Sequence, residues 1–248
     1  MNLLLLLETI KFHRIKQEAA VRNLFLVCYL VNVGVYFFPG SDPDLTSLVN
    51  ALEAFAMGES VKPVITEGNL LFAGLSVVAM LVTLLCTFIY AALFAGDREG
   101  NATREIMTSV IKAVPSLVLC GILLIVPIIF SALLMFIPLF IILTALYFLP
   151  LNLILGRMKL TEAMTTSFKD TRHAKMIIFL QYTMLMIVMN LPESLLVNLL
   201  PVTGIAAVLI AAFFISAQAM MRGRLMGIFY LNLVKKVPIV IPSKPNVR

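Results

Sequence analysis

Side chains able to do chemistry are few in this chain, and their spacing matches no familiar catalytic constellation. The two histidines, His13 and His173, each sit among basic residues (Lys11, Arg14 and Lys16; Arg172 and Lys175), which oppose a bound cation. Contact with a phosphate headgroup suits His173 and Arg172 better. No HExxH, P-loop, GxSxG or nucleotide-binding glycine fingerprint occurs. The carboxylate pairs Asp42/Asp44 and Asp97/Glu99 fall in polar loop sequence, where they stay solvated. Cys28, Cys86 and Cys120 lie singly inside apolar runs and read as small packing residues. The expectation is a protein that is not an enzyme, with no cofactor and no metal.

Polar residues within the apolar runs are Asn32, Gln181, Asn190 and Gln218. Such side chains ordinarily hydrogen-bond between helices; the functional alternative is a polar path lined by Gln181 and Gln218. Glu193 follows Pro192, which is expected to interrupt the helix and turn the carboxylate towards outer water. Arg222 and Arg224 precede another apolar stretch, Leu225–Leu233. Counted down a helix from Pro201, Arg222 lies about 31 Å away, at the inner membrane boundary. There the arginines would pair with Glu105, Glu162 or Asp170. A shifted helix would instead bury both and demand counter-ions.

The elements that position these groups follow from composition. Of 248 residues, 61% are hydrophobic and 13% charged, against about 45–50% and 25% in soluble domains. Several apolar runs exceed the roughly 18 residues of a spanning helix. That excludes a soluble enzyme, an alternating β-barrel and a disordered chain. Six spans are expected, near 22–38, 70–95, 113–134, 136–155, 176–198 and 202–221, with short amphipathic interfacial helices. The third and fourth merge into Ala113–Leu155, about 64 Å as helix and twice a hydrocarbon core. This stretch must turn back, most simply at Met135–Pro138.

With both termini cytoplasmic, 18 of the 19 Lys and Arg lie inside and only Lys62 outside. That is a strong positive-inside pattern. The net charge of +6 therefore reports topology, and nucleic acid is not an expected partner. Residues 1–22 place five leucines ahead of their basic residues, the reverse of a signal peptide, and read as an interfacial amphipathic helix. A bend is expected near Glu18–Asn23. Residues 23–234 form the membrane domain, with an outer segment at 39–69, cytoplasmic segments at 97–112 and 156–175, and a tail at 235–248. In the outer segment Ser41 or Asp42 would cap a helix bearing Leu45, Leu48, Val49, Leu52 and Phe55.

A repeat joins the two inner segments. Glu105, Met107, Thr108 and Lys112 match Glu162, Met164, Thr165 and Lys169, and Tyr90 matches Tyr147, all 57 residues apart. Each copy reads as a short amphipathic helix. Leu160, Met164 and Phe168 would face lipid or the bundle, and Glu162, Thr166 and Lys169 would form a polar stripe. The stripe is either a solvated face or a pair of struts for a partner or gate, and a strut would brace Arg222.

From Ala113 to Lys175 the chain resembles the membrane domain attached to some glycerophosphodiester phosphodiesterases, and related bacterial multi-pass proteins of unknown function. The shared features are Ile137-Pro138, Tyr147-Phe148 with Pro150, Leu160-Thr161-Glu162-Ala163, Ser167-Phe168 and Thr171-Arg172, with Phe229-Tyr230-Leu231 resembling the closing helix. The resemblance implies a six-helix bundle in a bacterial plasma membrane and transfers no catalytic residue. The functional expectation is a non-catalytic module assisting a transport or envelope-lipid system. It would act through anionic lipid headgroups on the inner face and through a protein partner or its own copies. The alternative is a permease subunit that itself moves a small or amphipathic substrate.

Overall fold

Apolar runs in a bilayer must satisfy every backbone group internally, and these do so as helices. The computed structural model describes residues 3–59, 61–133, 137–199 and 204–237. Among them the chain is all-helical: α1 (Leu3–Ile10), α2 (Glu18–Phe37), α3 (Thr46–Ala56), α4 (Glu67–Glu99), α5 (Thr103–Leu133), α6 (Ile137–Ala145), α7 (Leu149–Ile154), α8 (Leu160–Asp170), α9 (Lys175–Leu199) and α10 (Ile205–Phe229), which closes in a π-helical turn, Tyr230–Val234. Five helices are long and apolar enough to cross a membrane: α2, α4, α5, α9 and α10. Pro115, Pro127 and Pro192 lie inside α5 and α9 without ending them. The interruption expected at Pro192 is therefore corrected; neighbouring groups and small adjustments accommodate proline within a span.

Helices α4 and α10 form the centre, α10 also packing against α1, α2 and α9, and α4 against α2, α5 and α7. Their approach depends on Gly223 and Gly227, one turn apart on α10. A Cβ on Gly223 would lie 2.5 Å from the Thr87 carbonyl oxygen, and one on Gly227 2.7 Å from Phe94 Cδ1. Small residues at this spacing let two helices meet backbone to backbone. Between α2 and α4, Asn32 Nδ2 donates to Thr83 Oγ1 at 2.9 Å, the interhelical role expected of it.

The expected fourth span, 136–155, is two helices rather than one. Pro150 sits in the first turn of α7, where a missing N–H costs little. The reversal expected at Met135–Pro138 falls largely outside the described residues. Backbone groups freed between α6 and α7 are met by α8: Ser167 Oγ accepts from the Phe148 N–H at 3.1 Å and donates to the Ala145 carbonyl at 2.9 Å. Thr171 Oγ1 donates to the same carbonyl at 3.2 Å. All of these groups are buried, so Ser167→Ala is expected to destabilise the fold by about 1–3 kcal/mol. Thr165→Ala, on the exposed face, should change little; unfolding by SDS in mixed micelles measures both.

On α8, Leu160 and Met164 of the expected stripe pack partly buried against the core. Ala163 and Ser167 are fully buried, whereas Phe168 of the expected apolar stripe is 53% exposed beneath the Lys175 ammonium. The repeat itself is carried into the backbone. Gly100 and Arg157, 57 residues apart, both hold positive φ (82° and 51°), and α5 and α8 begin at Thr103 and Leu160. Buried Ile106 and Val110 correspond to buried Ala163 and Ser167. The first copy is not a separate short helix, however, but the opening turns of α5.

On the outer segment, neither Ser41 nor Asp42 caps α3. Asp44 Oδ1 accepts from the Thr46 N–H at 3.0 Å and hydroxyl at 2.6 Å, which holds its carboxyl below the usual range. The α3 residues Val49 and Phe55 remain exposed. Asn69 closes a capping box with Thr66 and reaches the carbonyls of Asp42 and Asp44.

Candidate functional site

Helices α1 and α2 are not continuous: the chain breaks at Lys11–Gln17, earlier than the bend expected at Glu18–Asn23. The broken segment is fixed beneath the bundle. Arg224 is 1% exposed; its Nη2 donates to Glu8 Oε1 at 2.8 Å and its Nη1 to the Arg14 carbonyl at 3.0 Å. Its guanidinium lies over the Phe94 ring, 4.7 Å from the centroid. Tyr90 Oη donates to the Phe12 carbonyl at 2.5 Å. Leu6, Thr9 and Ile15 are buried beside this contact, while Leu7 stays outside. Burial alone raises the Glu8 carboxyl, but hydrogen bonds and charge from Lys11 and Arg224 outweigh it and hold the value below the usual range.

This clamp corrects the expected pairing of Arg224 with Glu105, Glu162 or Asp170. Glu8 is 216 residues from Arg224 in sequence, a partnership that only the fold creates. The signal in the sequence is the Gly223/Gly227 spacing, which brings the α10 backbone close to α4 and so buries the neighbouring Arg224.

Arg222 points instead into the seam between α9 and α10. Its Nη2 donates to Gln218 Oε1 at 2.8 Å and to the Met186 sulfur at 2.9 Å, and its guanidinium faces the Tyr182 ring. Gln218 Nε2 in turn donates to Asn190 Oδ1 at 3.0 Å and Glu193 Oε2 at 3.3 Å. A polar chain thus runs Arg222–Gln218–Asn190/Glu193. Glu193 is half-buried within it rather than turned wholly to outer water. Gln181 is buried but does not join this chain, and its Oε1 has no partner among the described residues.

Glu162, Lys169 and Arg172 are exposed and make no ion pair among the described residues. Arg222 contacts α9 and its own helix, so this stripe does not brace it. Asp170, beside it, has a buried oxygen without a partner, and burial raises its carboxyl. Glu105 and Lys112 are likewise exposed, on the first turns of α5.

The clamp also shapes a groove. Between the Lys11–Gln17 segment and α2 lies a cavity of about 930 Å³ lined by Phe12, Phe25 and Phe213 together with His13, Lys16, Arg22 and the single carboxylate Glu18. Phe12 stacks on Phe25 at 6.3 Å, and Phe213 meets Phe25 edge-on at 5.6 Å. No protein-family model, curated protein or solved structure matches this chain. Function must be argued from the geometry itself.

Proposed function

We propose that the protein is a non-catalytic module of a bacterial inner membrane that works by holding anionic lipid, and through it or beside it a protein partner, on its cytoplasmic side. The observation carrying this reading is the groove under the clamped N-terminal segment. An aromatic wall next to His13, Lys16 and Arg22 matches an amphipathic ligand with an anionic head, and each basic side chain near anionic lipid adds about 1 kcal/mol. In this reading both termini are cytoplasmic, as the 18 basic residues on that side favour. The broken α6–α7 pair then serves as the sixth crossing, packed against α5 and α9 at one end and α4 and α8 at the other. A shared architecture with the membrane domains attached to glycerophosphodiester phosphodiesterases belongs to the same proposal.

Native mass spectrometry of protein extracted in mild detergent tests it. Anionic phospholipid is expected to be retained above its share of the membrane, and Lys16→Gln with Arg22→Gln to reduce that excess. Retention in bulk proportion, unchanged by the substitutions, contradicts it. One observation favours the alternative, a permease subunit: the polar chain from Arg222 to Glu193 lies within two spanning helices, where ionisable groups mark transport paths. Solute uptake by proteoliposomes that is lost in Gln218→Leu would favour it.

A further inference from the structure

The two copies of the inner repeat differ where it matters for binding. Each needs a residue in the left-handed region to turn from one helix into the next. The first copy uses Gly100, which adopts that conformation without strain. The second uses Arg157, at φ 51°, although a long side chain is disfavoured there. The left-handed turn closes α7, with the Met158 N–H donating to the Asn152 carbonyl at 3.3 Å, and it leaves the Arg157 side chain exposed. Arg157 lines a cavity of about 600 Å³ between the start of α5 and the end of α7, together with Arg104 and Lys112. None of these three cations is in an ion pair among the described residues. Glu105 shares the cavity, leaving a formal excess of two positive charges. Ser109 and Ser116 offer hydroxyls on the same helix.

The cavity also straddles a boundary. It runs from Arg104 to Ser116, about 18 Å along α5, and its deeper wall is Ala113 and Leu153, in the apolar stretch that begins just after Lys112. Beyond it the outward face of α5 is apolar, with Val118, Leu119 and Ile122 exposed. Charge at one end and hydrocarbon at the other fit a ligand whose phosphate sits among the cations while its chains leave along α5.

We propose that Arg104, Lys112 and Arg157 form a binding site for a phosphate-bearing anion, supplied by a phospholipid headgroup. This site rests on the lipid-contact reading but is separate from the groove at Phe12 and Phe25. The test uses the full chain in nanodiscs of neutral phosphatidylcholine, titrated with phosphatidylglycerol or with inorganic phosphate. Binding of phosphatidylglycerol is expected to weaken roughly fivefold for each of Arg104→Gln, Lys112→Gln and Arg157→Gly. Arg157→Gly should also melt no lower than the wild type, since glycine relieves the strained turn. Lost affinity with retained stability is a combination that a purely structural arginine does not give. Competition by inorganic phosphate would assign the site to a soluble phosphate and overturn the lipid source, whereas binding weakened in the three variants and untouched by inorganic phosphate supports the phospholipid headgroup. If the three variants bind phosphatidylglycerol like the wild type while Lys16→Gln/Arg22→Gln does not, the site is wrong and the lipid reading survives. If the wild type does not prefer phosphatidylglycerol to neutral lipid, both fail.

Discussion

Replacing Glu8 with leucine is expected to cost about 3–5 kcal/mol, because it leaves the Arg224 guanidinium buried without its counter-ion. The Arg14 carbonyl and the Phe94 face remain, but neither carries a negative charge. The reciprocal change, Arg224→Leu, should cost less, since Glu8 keeps Lys11 at 3.1 Å and some access to water. The double variant should recover much of the Glu8→Leu loss, and a double-mutant cycle by SDS unfolding reads that coupling directly. Acidity gives an independent check. A carboxyl with a lowered value stabilises fully above the ordinary glutamate value of about 4.5 and loses that contribution as pH falls through the lowered one. The gap between wild type and Glu8→Gln should therefore narrow on acidification below that value. A gap constant across the range would mean that Glu8 is not ionised against Arg224.

The second large effect is at the α4–α10 crossing. Gly223→Ala places a methyl 2.5 Å from the Thr87 carbonyl, a backbone atom that cannot step aside alone. The helices must separate, at about 1–3 kcal/mol for the overpacking. Separation also loosens Arg224, one residue on, so limited proteolysis should cut the Lys11–Gln17 segment faster in this variant. Gly74→Ala is the matched control: its Cβ would meet nothing within 4 Å, so helix propensity alone predicts no loss. Equal melting of the two variants would remove the close crossing from the account.

How far the sequence reaches is clearest from α8. Hydrophobic periodicity selects Leu160, Met164 and Phe168 as the face turned to lipid or the bundle, and Leu160 and Met164 do pack on the core while Phe168 is exposed. The structure turns Ala163, Ser167 and Thr171 inward because the α6–α7 break leaves a carbonyl and an N–H that only hydroxyls at that position can meet. No pattern within residues 160–171 announces that need; it arises from the neighbouring segment. Spanning helices were legible because length and apolarity are local properties, and α2, α4, α5, α9 and α10 lie where the runs predict. The broken α6–α7 pair was only half legible. Pro150 ends up starting a helix, while Pro115, Pro127 and Pro192 are absorbed, and the four differ in surroundings rather than in type. The repeat was visible as matched side chains, but the shared left-handed turn, at Gly100 and at Arg157, needed the backbone angles. Arg224 stands out in the sequence as a charge before an apolar stretch, whereas Glu8 does not. Their partnership depends on the whole fold between them.

Everything proposed for lipid binding places Lys16, Arg22, Arg104 and Arg157 on one side of the membrane, facing the cytoplasm. Membrane-impermeant thiol labelling of intact cells tests this most directly. Cys28, Cys86 and Cys120 are first replaced by alanine, and single cysteines are introduced as Glu59→Cys, Asn101→Cys and His173→Cys, all at exposed positions. The account predicts labelling of Glu59→Cys from outside, with Asn101→Cys and His173→Cys labelled only after the cells are permeabilised. Labelling of Asn101→Cys or His173→Cys in intact cells would contradict it, because the basic face would then lie outside and the inner-leaflet lipid would be out of reach.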